Sequence, residues 1–458
     1  MKRLFWSAII VGVLAGMTGC DVHFSGGWSD ADLTAVTNVV EAAAMPAGLK
    51  SLLVDNRFGA IHIKGTDQTN TGWSWKLTIR ARNDKVLQKL AAGASCKVDL
   101  EGDHLSLVVV LPKTRAAHSI ESDFEISVPK SVAVRAENRF GGTDIAGLSA
   151  DVEAKNQNGR IEIRDIGGPV HAQTSFDGLS VSNTGPAVLK NQNGEIRVSG
   201  IGGRLEATTS FDSLVVREIR GPASLANQNG KIEASAIHGL LDAKTSFDSL
   251  AIKDVDGAVT LHNQNGSIDA TGISGRLDAG TSFDSLVARN IGGPVRLRNQ
   301  NGRIQIIQAG GDADIETSFD SLDVEGVHGD ATMVNQNGSV RAKGVTGSVK
   351  ATTSFAAIEV TGAGSQFVCH NQNGAIRLHA TSTALTNIEA ATSFDTLEVH
   401  LPASLKPAIQ ARTTFADVES DFPIMMKPHS KEAFAGAAAG TARINLQNQD
   451  GKIGVVGD

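Results

Sequence analysis

Short runs of alternating apolar and polar residues recur along most of the chain, with Gly-containing turns between them. From Ile161 onward, apolar residues occupy every second position within each run, and turns such as IGGP interrupt the runs. A period of two residues with regular turns predicts short β-strands. No segment of helical length separates the runs, so βαβ units are not expected. The pattern predicts an all-β fold, a parallel β-solenoid (β-helix).

Two turn motifs alternate through this region at regular intervals. NQNG occurs seven times, with copies that begin at Asn156, Asn191, Asn227, Asn263, Asn299, Asn335 and Asn371. TSFD or a relative follows each copy 18 residues later, apart from a last interval of 21. The spacing favours a coil of about 18 residues, and a 36-residue coil is the competing geometry. The larger coil stacks Asn on Asn and Phe on Phe, but it leaves a central void that these side chains do not fill.

Each motif has an expected structural role at its corner of the stack. The Asn-Gly pair supplies the positive φ of a tight turn, and stacked Asn side chains hydrogen-bond between coils. These ladder residues are Asn158, Asn193, Asn229, Asn265, Asn301, Asn337 and Asn373. The Phe of TSFD is expected to fill the corner that Asn occupies in the alternate coil. These residues are Phe176, Phe211, Phe247, Phe283, Phe319, Phe355 and Phe394.

The Asp of TSFD is expected to cap its own turn by accepting a backbone N–H two residues on. The turn caps are Asp177, Asp212, Asp248, Asp284, Asp320 and Asp395. Ala356 and Ala416 replace this Asp in two coils. Cation binding by the Asp column is the alternative, but the column lacks the Gly-Gly-x-Gly-x-Asp pattern of calcium-binding β-rolls. No metal site and no cofactor are predicted.

The N-terminus reads MKRLFWSAIIVGVLAGMTGC, in which Lys2 and Arg3 precede an apolar run. The run is too short to span a bilayer comfortably and is typical of a secretory signal. Its MTGC ending resembles the lipobox of bacterial lipoproteins, which predicts lipid attachment at Cys20. An ordinary signal with an incidental Cys is the alternative. A lipid on Cys20 anchors the protein to a membrane without spanning it.

Five segments are expected along the chain: a lipoprotein signal peptide at 1–20, a tether at 21–47, an N-terminal β lead-in at 48–137, solenoid repeats at 138–400 and a C-terminal cap with a mobile loop at 401–458. Within the tether, residues 30–44 are a candidate short helix because Leu33, Val36 and Val39 fall on one helical face. Residues 84–92 are a second candidate helix.

Composition and motifs exclude several classes of function. A net charge of -7 without long like-charge blocks gives no sign of nucleic-acid binding. Cys369 shares a repeat column with Leu and Met residues, which predicts a buried small hydrophobe rather than a reactive thiol. His262 and His370 fall in an outward row of mixed character, coils apart from each other. The sequence contains no P-loop, dinucleotide fingerprint or HExxH motif.

A polysaccharide lyase or hydrolase is the enzymatic alternative, since such enzymes occur on β-solenoids. An outward acidic row at Glu206, Asp242, Asp278 and Asp314 is the candidate site, with His171 at its start. Surface solubility explains such a row equally well.

Several segments together resemble the bacterial "putative adhesin" family of exported β-strand-repeat proteins. These are NRFGAIHIKG, ISVPKSVAVRAENRFGG, the alternating NQNG and TSFD coils, and ADVESDFPI before a final NQDGKI. The resemblance implies a β-solenoid in the cell envelope and brings no catalytic residues with it. We therefore predict a lipid-anchored, extracytoplasmic, non-enzymatic adhesion or interaction scaffold, periplasmic or at the cell surface, with a polysaccharide or protein ligand on its outer faces.

Overall fold

The structure is a computed structural model that describes residues 35–68, 70–81, 83–112, 117–426, 432–435 and 442–458. The chain forms two compact units, of which unit 1 ends at Val215 and unit 2 begins at Val216. The predicted signal peptide and its Cys20 lie outside the described residues. Among the described residues, strands predominate and one short segment is an α-helix.

The elements before the repeats are β1 (Ala35–Ala44), β2 (Ser51–Asp55), β3 (Ile61–Thr66), β4 (Gly72–Ala81), α1 (Asp84–Ala92), β5 (Ser95–Glu101), β6 (His104–Val110) and β7 (Ala117–Pro129). The first repeat strands are β8 (Ala133–Phe140), β9 (Thr143–Leu148), β10 (Val152–Asn158), β11 (Ile161–Ile166), β12 (Val170–Gln173), β13 (Leu179–Thr184), β14 (Ala187–Lys190), β15 (Ile196–Ile201), β16 (Leu205–Thr209) and β17 (Leu214–Ile219).

The repeats continue with β18 (Ala223–Asn227), β19 (Ile232–Ile237), β20 (Leu241–Lys244), β21 (Leu250–Val255), β22 (Val259–His262), β23 (Ile268–Ile273), β24 (Leu277–Thr281), β25 (Leu286–Ile291), β26 (Val295–Asn299), β27 (Ile304–Ala309), β28 (Ala313–Thr317), β29 (Leu322–Val327), β30 (Ala331–Asn335), β31 (Val340–Lys343), β32 (Val349–Thr353), β33 (Ile358–Gly362), β34 (Gln366–Asn371), β35 (Ile376–Ala380), β36 (Asn387–Thr392) and β37 (Leu397–Leu401). The last strands are β38 (Pro407–Arg412), β39 (Val418–Ser420), β40 (Met425–Met426), β41 (Glu432–Ala435), β42 (Ala442–Asn448) and β43 (Ile453–Gly457).

Unit 2 is a parallel β-solenoid whose coil is 18 residues long. Ile268 on β23 pairs with Leu286 on β25, and Leu277 on β24 pairs with Val295 on β26. Each coil therefore contributes one strand to each of two parallel sheets. This confirms the predicted fold class and the shorter of the two coil geometries.

The core of unit 2 follows the predicted alternation, with one regular break in each coil as far as Gly344; β33, β35 and β37 alternate without a break. Ile268 and Ala270 are buried, and Ile273 is buried again after a step of three residues. The break is at Gly272, whose φ is +69°. The left-handed backbone there turns the chain so that the next side chain faces inward. The same position has positive φ in unit 2 at Glu218, Ala236, Asp254, Asn290, Gln308, Gly326 and Gly344.

The C-terminal strand pair is not the last coil of unit 2. β42 pairs in parallel with both β36 and β38, and β43 pairs in parallel with both β37 and β39. The coil of residues 442–457 is therefore inserted between two coils that precede it in the sequence. Beyond it, β38 pairs antiparallel with β41, which pairs antiparallel with β40.

Unit 1 contains a similar insertion near its start. β2 pairs in parallel with β6 and β8, and β3 pairs in parallel with β7 and β9. The coil of residues 51–66 therefore lies between two segments that follow it in the sequence. From β8 to β16 the coils of unit 1 then stack in sequence order.

The predicted helix at 30–44 is wrong over the residues that the structure describes. Residues 35–44 form β1, which pairs antiparallel with all ten residues of β4. The β-branched residues of this segment suit a strand, and β4 offers an unpaired edge whose backbone groups need partners. Tertiary pairing thus overrides the weak helical pattern. The second predicted helix is confirmed as α1, with Asn83 as its N-cap.

Both described cysteines are buried free thiols. Cys369 lies between Ala351 and Ala390 of the neighbouring coils and has no exposed surface. Burial raises the pKa of each of the Cys96 and Cys369 thiols to about 12, so both are protonated at neutral pH. Cys369 acts as a small hydrophobe, in agreement with its repeat column.

Candidate functional site

The TSFD turn that begins at Thr281 shows how its corner is built. Thr281 is buried, and its hydroxyl shares its single proton between the carbonyl oxygens of Gly266, at 3.0 Å, and Phe283, at 2.9 Å. One bond reaches the preceding coil and the other closes the turn. The bond to the preceding coil is repeated in unit 2 by Thr245, Thr317, Thr353 and Thr392. A hydroxyl side chain thus takes the inward position of each of these corners.

The Asp of this motif caps its turn differently from the prediction. Asp284 has a φ of 66°, and its Oδ1 accepts the N–H of Ser285, the next residue, at 2.6 Å. The predicted partner was two residues on. The same one-residue contact is made by Asp177, Asp212, Asp248, Asp320 and Asp395. At Ala356 the turn forms without a carboxylate, and the Ala356 carbonyl still accepts the Asn371 side chain at 2.6 Å.

The prediction that Phe fills a buried corner is wrong. Phe283 is 50% exposed, and the matching residues of unit 2 are between 50% and 70% exposed. Thr281 occupies the inward position and Asp284 the left-handed one, so the side chain between them points to solvent. We call the exposed row of unit 2 the phenylalanine edge; it consists of Phe247, Phe283, Phe319, Phe355, Phe394 and Phe415.

The NQNG turn fills the same corner with its first Asn. Asn299 is buried; its Nδ2 donates to the Asp284 carbonyl at 2.7 Å and its Oδ1 accepts the Gly302 N–H at 3.3 Å. Thr and Asn therefore alternate in one buried polar column that satisfies backbone groups of the neighbouring turns. In unit 2 the buried Asn residues are Asn227, Asn263, Asn299, Asn335, Asn371 and Asn448.

The Gly of NQNG was predicted to have a positive φ, but its φ is not in the left-handed region. Gly is needed there because the turn lies too close to the preceding turn for a side chain. A Cβ added at Gly302 would lie 1.8 Å from the Asp284 carbonyl oxygen. The same clash with the preceding turn arises at Gly266, Gly338, Gly374 and Gly451. The positive φ is supplied instead by the TSFD residue Asp284, in the alternate coil.

The second Asn of NQNG holds the backbone beside each Phe. Asn301 donates to the Ser282 carbonyl through its backbone N–H at 3.1 Å and through its Nδ2 at 3.1 Å. On the other side, the Ser282 N–H donates to the Gln264 carbonyl at 3.0 Å. The residue before Phe283 is thus bonded to both neighbouring coils. The predicted ladder residues Asn265, Asn337 and Asn373 make the corresponding side-chain bond in unit 2, as do Asn158 and Asn193 in unit 1; Asn229 lies at the same position.

The surroundings of the phenylalanine edge are polar and mostly uncharged. Each ring is separated from the next by one coil, in which the Phe position is taken by Asn265, Asn301, Asn337, Asn373 or, in the coil of residues 442–457, Asp450. One flanking row alternates Gln and Ser, and Gln264 and Gln300 are exposed. The turn motifs of unit 2 carry Asp as their only ionisable residue type. Neighbouring strands are about 4.8 Å apart, so rings on every second coil repeat at roughly 10 Å.

The inserted coil preserves this alternation. Its NQDG turn lies between the last two aromatic turns: the Asp450 N–H donates to the Ser393 carbonyl at 2.8 Å, and the Phe415 N–H donates to the Gln449 carbonyl at 3.2 Å. Phe394 and Phe415 therefore remain two coils apart. In unit 1 the exposed Phe row begins differently, because Phe58 and Phe140 lie on adjacent coils and stack with centroids 5.3 Å apart; Phe176 and Phe211 follow as exposed residues.

The acidic row and the His row do not form a compact site. In unit 2, Asp242, Asp278 and Asp314 stand two coils apart, and Arg296 lies between the last two. Asp314 also pairs with Arg298 at 2.6 Å. In unit 1, Glu206 pairs with Arg204 at 2.7 Å. Within the described part of the chain, no three His, Cys, Asp or Glu side chains are grouped so as to hold a metal ion.

The sequence did not reveal that Thr and the first Asn are buried, and the sequence-based prediction placed Phe in the core although it faces solvent. One signal was available, because the Phe column reads Phe, Asn, Phe, Asn along successive coils. A buried column rarely alternates a large apolar side chain with an amide that would need its own partners. An exposed column accepts both.

Comparisons with known proteins identify similar solved structures only. No family model matches the chain, and no curated protein matches it. The chain is similar to a "putative adhesin" from Bacteroides fragilis, with 16% identity, a TM-score of 0.29, and coverage of 50% of this chain and 97% of that one. It is also similar to a "putative adhesin" from Parabacteroides distasonis, with 12% identity, a TM-score of 0.23, and coverage of 65% and 96%.

A third similar structure is a "putative cell adhesion protein" from Clostridium sporogenes, with 7% identity, a TM-score of 0.16, and coverage of 92% of this chain and 100% of that one. In the described ranges, no helix is long and apolar enough to cross a membrane.

Proposed function

We propose that the protein is a non-enzymatic adhesion or interaction scaffold whose ligand-contacting surface is the phenylalanine edge. The observation that carries this proposal is the exposure of one Phe on every second coil of unit 2, each at least half exposed. Exposed aromatic residues in a regular row are costly to leave in water unless they have a partner.

The turns that present these rings are fixed before any ligand arrives. The residue before Phe283 is bonded to both adjacent coils, and the Phe283 carbonyl accepts the buried Thr281 hydroxyl. A preorganised surface loses little conformational entropy when it binds. A stiff row of such turns suits binding along an extended partner, as other solenoids bind along their sides.

We further propose that the protein acts outside the cytoplasm, held to a bacterial membrane by a lipid on Cys20. The support is the signal-like N-terminus and its MTGC ending. Replacement of Cys20 by Ala should move the protein from the membrane fraction to the soluble fraction. Mass spectrometry of the mature N-terminus should show acyl chains on the wild-type protein, and an unmodified wild-type Cys20 would contradict the anchor.

The scaffold role is tested with purified protein on isolated bacterial cell envelopes and on a panel of polysaccharides, with calcium or with chelator. Both retention and newly formed chain ends are scored. We expect retention without new ends, and we expect the combined replacement of Phe247, Phe283, Phe319 and Phe355 by Ser to reduce it strongly, because only Phe394 and Phe415 of the edge remain.

A matched control is Leu240→Ser, which removes another large apolar side chain, 62% exposed, from a different turn of unit 2. It should leave retention unchanged. New chain ends would favour the polysaccharide-active enzyme instead and make the acidic row the first place to mutate. Equal retention by the four-Phe variant would refute the phenylalanine edge as the contact surface.

A further inference from the structure

The geometry points to one ligand class for the phenylalanine edge: we propose that it binds an extended, neutral polysaccharide, with sugar rings stacked on successive Phe rings. This inference rests on the proposed function, because it names the ligand of the same surface. It follows from the spacing, the chemistry and the charge of the edge, taken in turn.

The spacing suits a straight polymer with a short repeat. Rings on alternate coils recur at roughly 10 Å, since strands in a sheet are about 4.8 Å apart. A disaccharide of an extended β-1,4-linked hexose chain spans nearly the same distance. Every second sugar of such a chain can therefore meet a Phe in the same orientation. A coiled α-1,4-linked chain turns its sugars away from a straight row.

The chemistry between the rings is that of a sugar-binding surface. Sugars present apolar C–H faces to aromatic rings and hydroxyl groups around their edges, and those hydroxyls need hydrogen-bond partners. Between Phe283 and Phe319 lies Asn301, with the exposed Gln300 beside it. Amide side chains both donate and accept, so they match hydroxyl groups of either polarity.

The same interruption argues against other partners. A lipid surface or a second copy of this chain is best bound by a continuous apolar surface, and here an Asn, or Asp450 in the coil of residues 442–457, separates each ring from the next. The charge of the edge narrows the ligand further, because an Asp follows four of its six rings directly in the sequence. The cations that follow the NQNG or NQDG motif in unit 2, Lys231, Arg303 and Lys452, are paired with Glu233, Asp323 and Glu419. Asp284 and Asp320 are exposed beside their rings. Like-charge repulsion therefore disfavours acidic polysaccharides.

The test measures binding of purified protein to cellohexaose, chitohexaose, maltohexaose and polygalacturonate by titration calorimetry. We expect binding of the first two and much weaker binding of the last two. Affinity should rise with chain length as a ligand spans two and then three rings. Replacing Phe247, Phe283, Phe319 and Phe355 together by Ser leaves no stretch of three rings in the phenylalanine edge and should weaken cellohexaose or chitohexaose binding roughly tenfold, whereas Leu240→Ser should not change it.

A second variant separates a period-matched surface from a generally adhesive one. Asn301→Phe places aromatic rings on three adjacent coils, and the stacked pair Phe58 and Phe140 of unit 1 shows how two rings on adjacent coils contact each other. Stacking would cover the ring faces and halve the period, so we expect weaker glycan binding. General hydrophobic adhesion would instead become stronger.

The inference is overturned if neither extended neutral glycan binds, if maltohexaose binds equally well, or if Asn301→Phe tightens binding. Self-association of the wild-type protein that the four-Phe variant abolishes would show that a second copy occupies the edge. These results can be told apart from a failure of the scaffold proposal itself. If the four-Phe variant loses envelope binding but no neutral glycan binds, the edge is a contact surface and only the ligand class is wrong.

Discussion

The two kinds of turn in unit 2 occupy the same corner of the coil and solve its packing in the same way. Thr281 in one coil and Asn299 in the next are buried at equivalent positions, and both bond to the turn before them. Two residues later the turns differ, because Phe283 and Asn301 occupy the same exposed column. The comparison distinguishes the buried position, which bonds adjacent coils together, from the exposed position, which faces solvent.

The difference teaches that repetition alone does not reveal a residue's task. TSFDSL recurs verbatim in four coils, so its Thr, Phe and Asp are equally regular in the sequence. In the structure Thr is buried, Asp shapes and caps the turn, and Phe projects outward. A surface that repeats with the fold is expected when the ligand itself repeats.

The largest effect should come from adding one carbon to the NQNG turn. In Gly302→Ala, the new Cβ would meet the Asp284 carbonyl oxygen at 1.8 Å, so two adjacent turns must separate. We expect a loss of about 3 kcal/mol or more in the free energy of unfolding. Gly280→Ala is the matched control, since its Cβ would lie 3.7 Å from the nearest atom. Urea denaturation of both variants checks this, and equal stability would contradict the close approach.

A smaller loss is expected when the buried amide is removed. Asn299→Ala leaves the Asp284 carbonyl and the Gly302 N–H without their partner. We expect the free energy of unfolding to fall by about 2 kcal/mol. Asn301→Ala should cost less, because Asn301 is exposed and its backbone N–H still bonds to Ser282. Equal losses of stability in the two variants would contradict the different structural roles of the buried Asn299 and the exposed Asn301.

A weaker effect concerns the inserted coil, which carries the NQDG version of the turn. His400 contacts Asp458 and Glu398 at 3.1 and 3.2 Å, and His379 contacts Asp458 at 3.0 Å. The hydrogen bond to Asp458 is the main cause that raises the pKa of His400, and burial partly opposes it. The charged imidazole is therefore favoured in the folded protein.

The sign of the pH dependence follows from that direction. The contribution of His400 is complete below the unfolded pKa of about 6.5 and is lost as pH rises through the folded pKa. Because the pair is partly exposed, we expect no more than ~0.5 kcal/mol. The protection factors of the β43 amides, in which the intrinsic pH dependence of hydrogen exchange is divided out, should fall at higher pH in the wild-type protein, and this fall should be absent in His400→Gln. An opposite pH dependence would contradict the contact with Asp458.

The smallest effect on stability is expected at the most regular aromatic position. Phe283→Ser removes a half-exposed ring and leaves the Thr281 and Asp284 contacts of its turn in place. A surface change of this kind should alter the free energy of unfolding by only about 0.2 kcal/mol, so that four of them together stay below the loss expected for Asn299→Ala. Thermal melting of this variant beside Leu240→Ser measures the change in stability. A loss near 3 kcal/mol would show that Phe283 packs in the core.

Much of the fold could be predicted because it depends on local repetition. The spacing from Asn263 to Thr281 equals one coil, and the alternation around Ile268 places the core. The side on which Phe283 lies could not be read in this way, because alternation ends at a turn with a left-handed residue. The insertion of residues 442–457 depends on pairing with β36 and β38. No local pattern encodes such pairing.

The most direct test of the central claim is the midpoint of urea unfolding for the variant in which Phe247, Phe283, Phe319 and Phe355 are all Ser, measured beside Asn299→Ala. If these rings are displayed for a ligand, the four-Phe variant should keep nearly the wild-type midpoint, while the single Asn299→Ala change should lower it clearly. If the four Phe changes lower the midpoint further than Asn299→Ala does, the rings stabilise the solenoid. The account of the phenylalanine edge as a ligand-contacting surface would then be wrong.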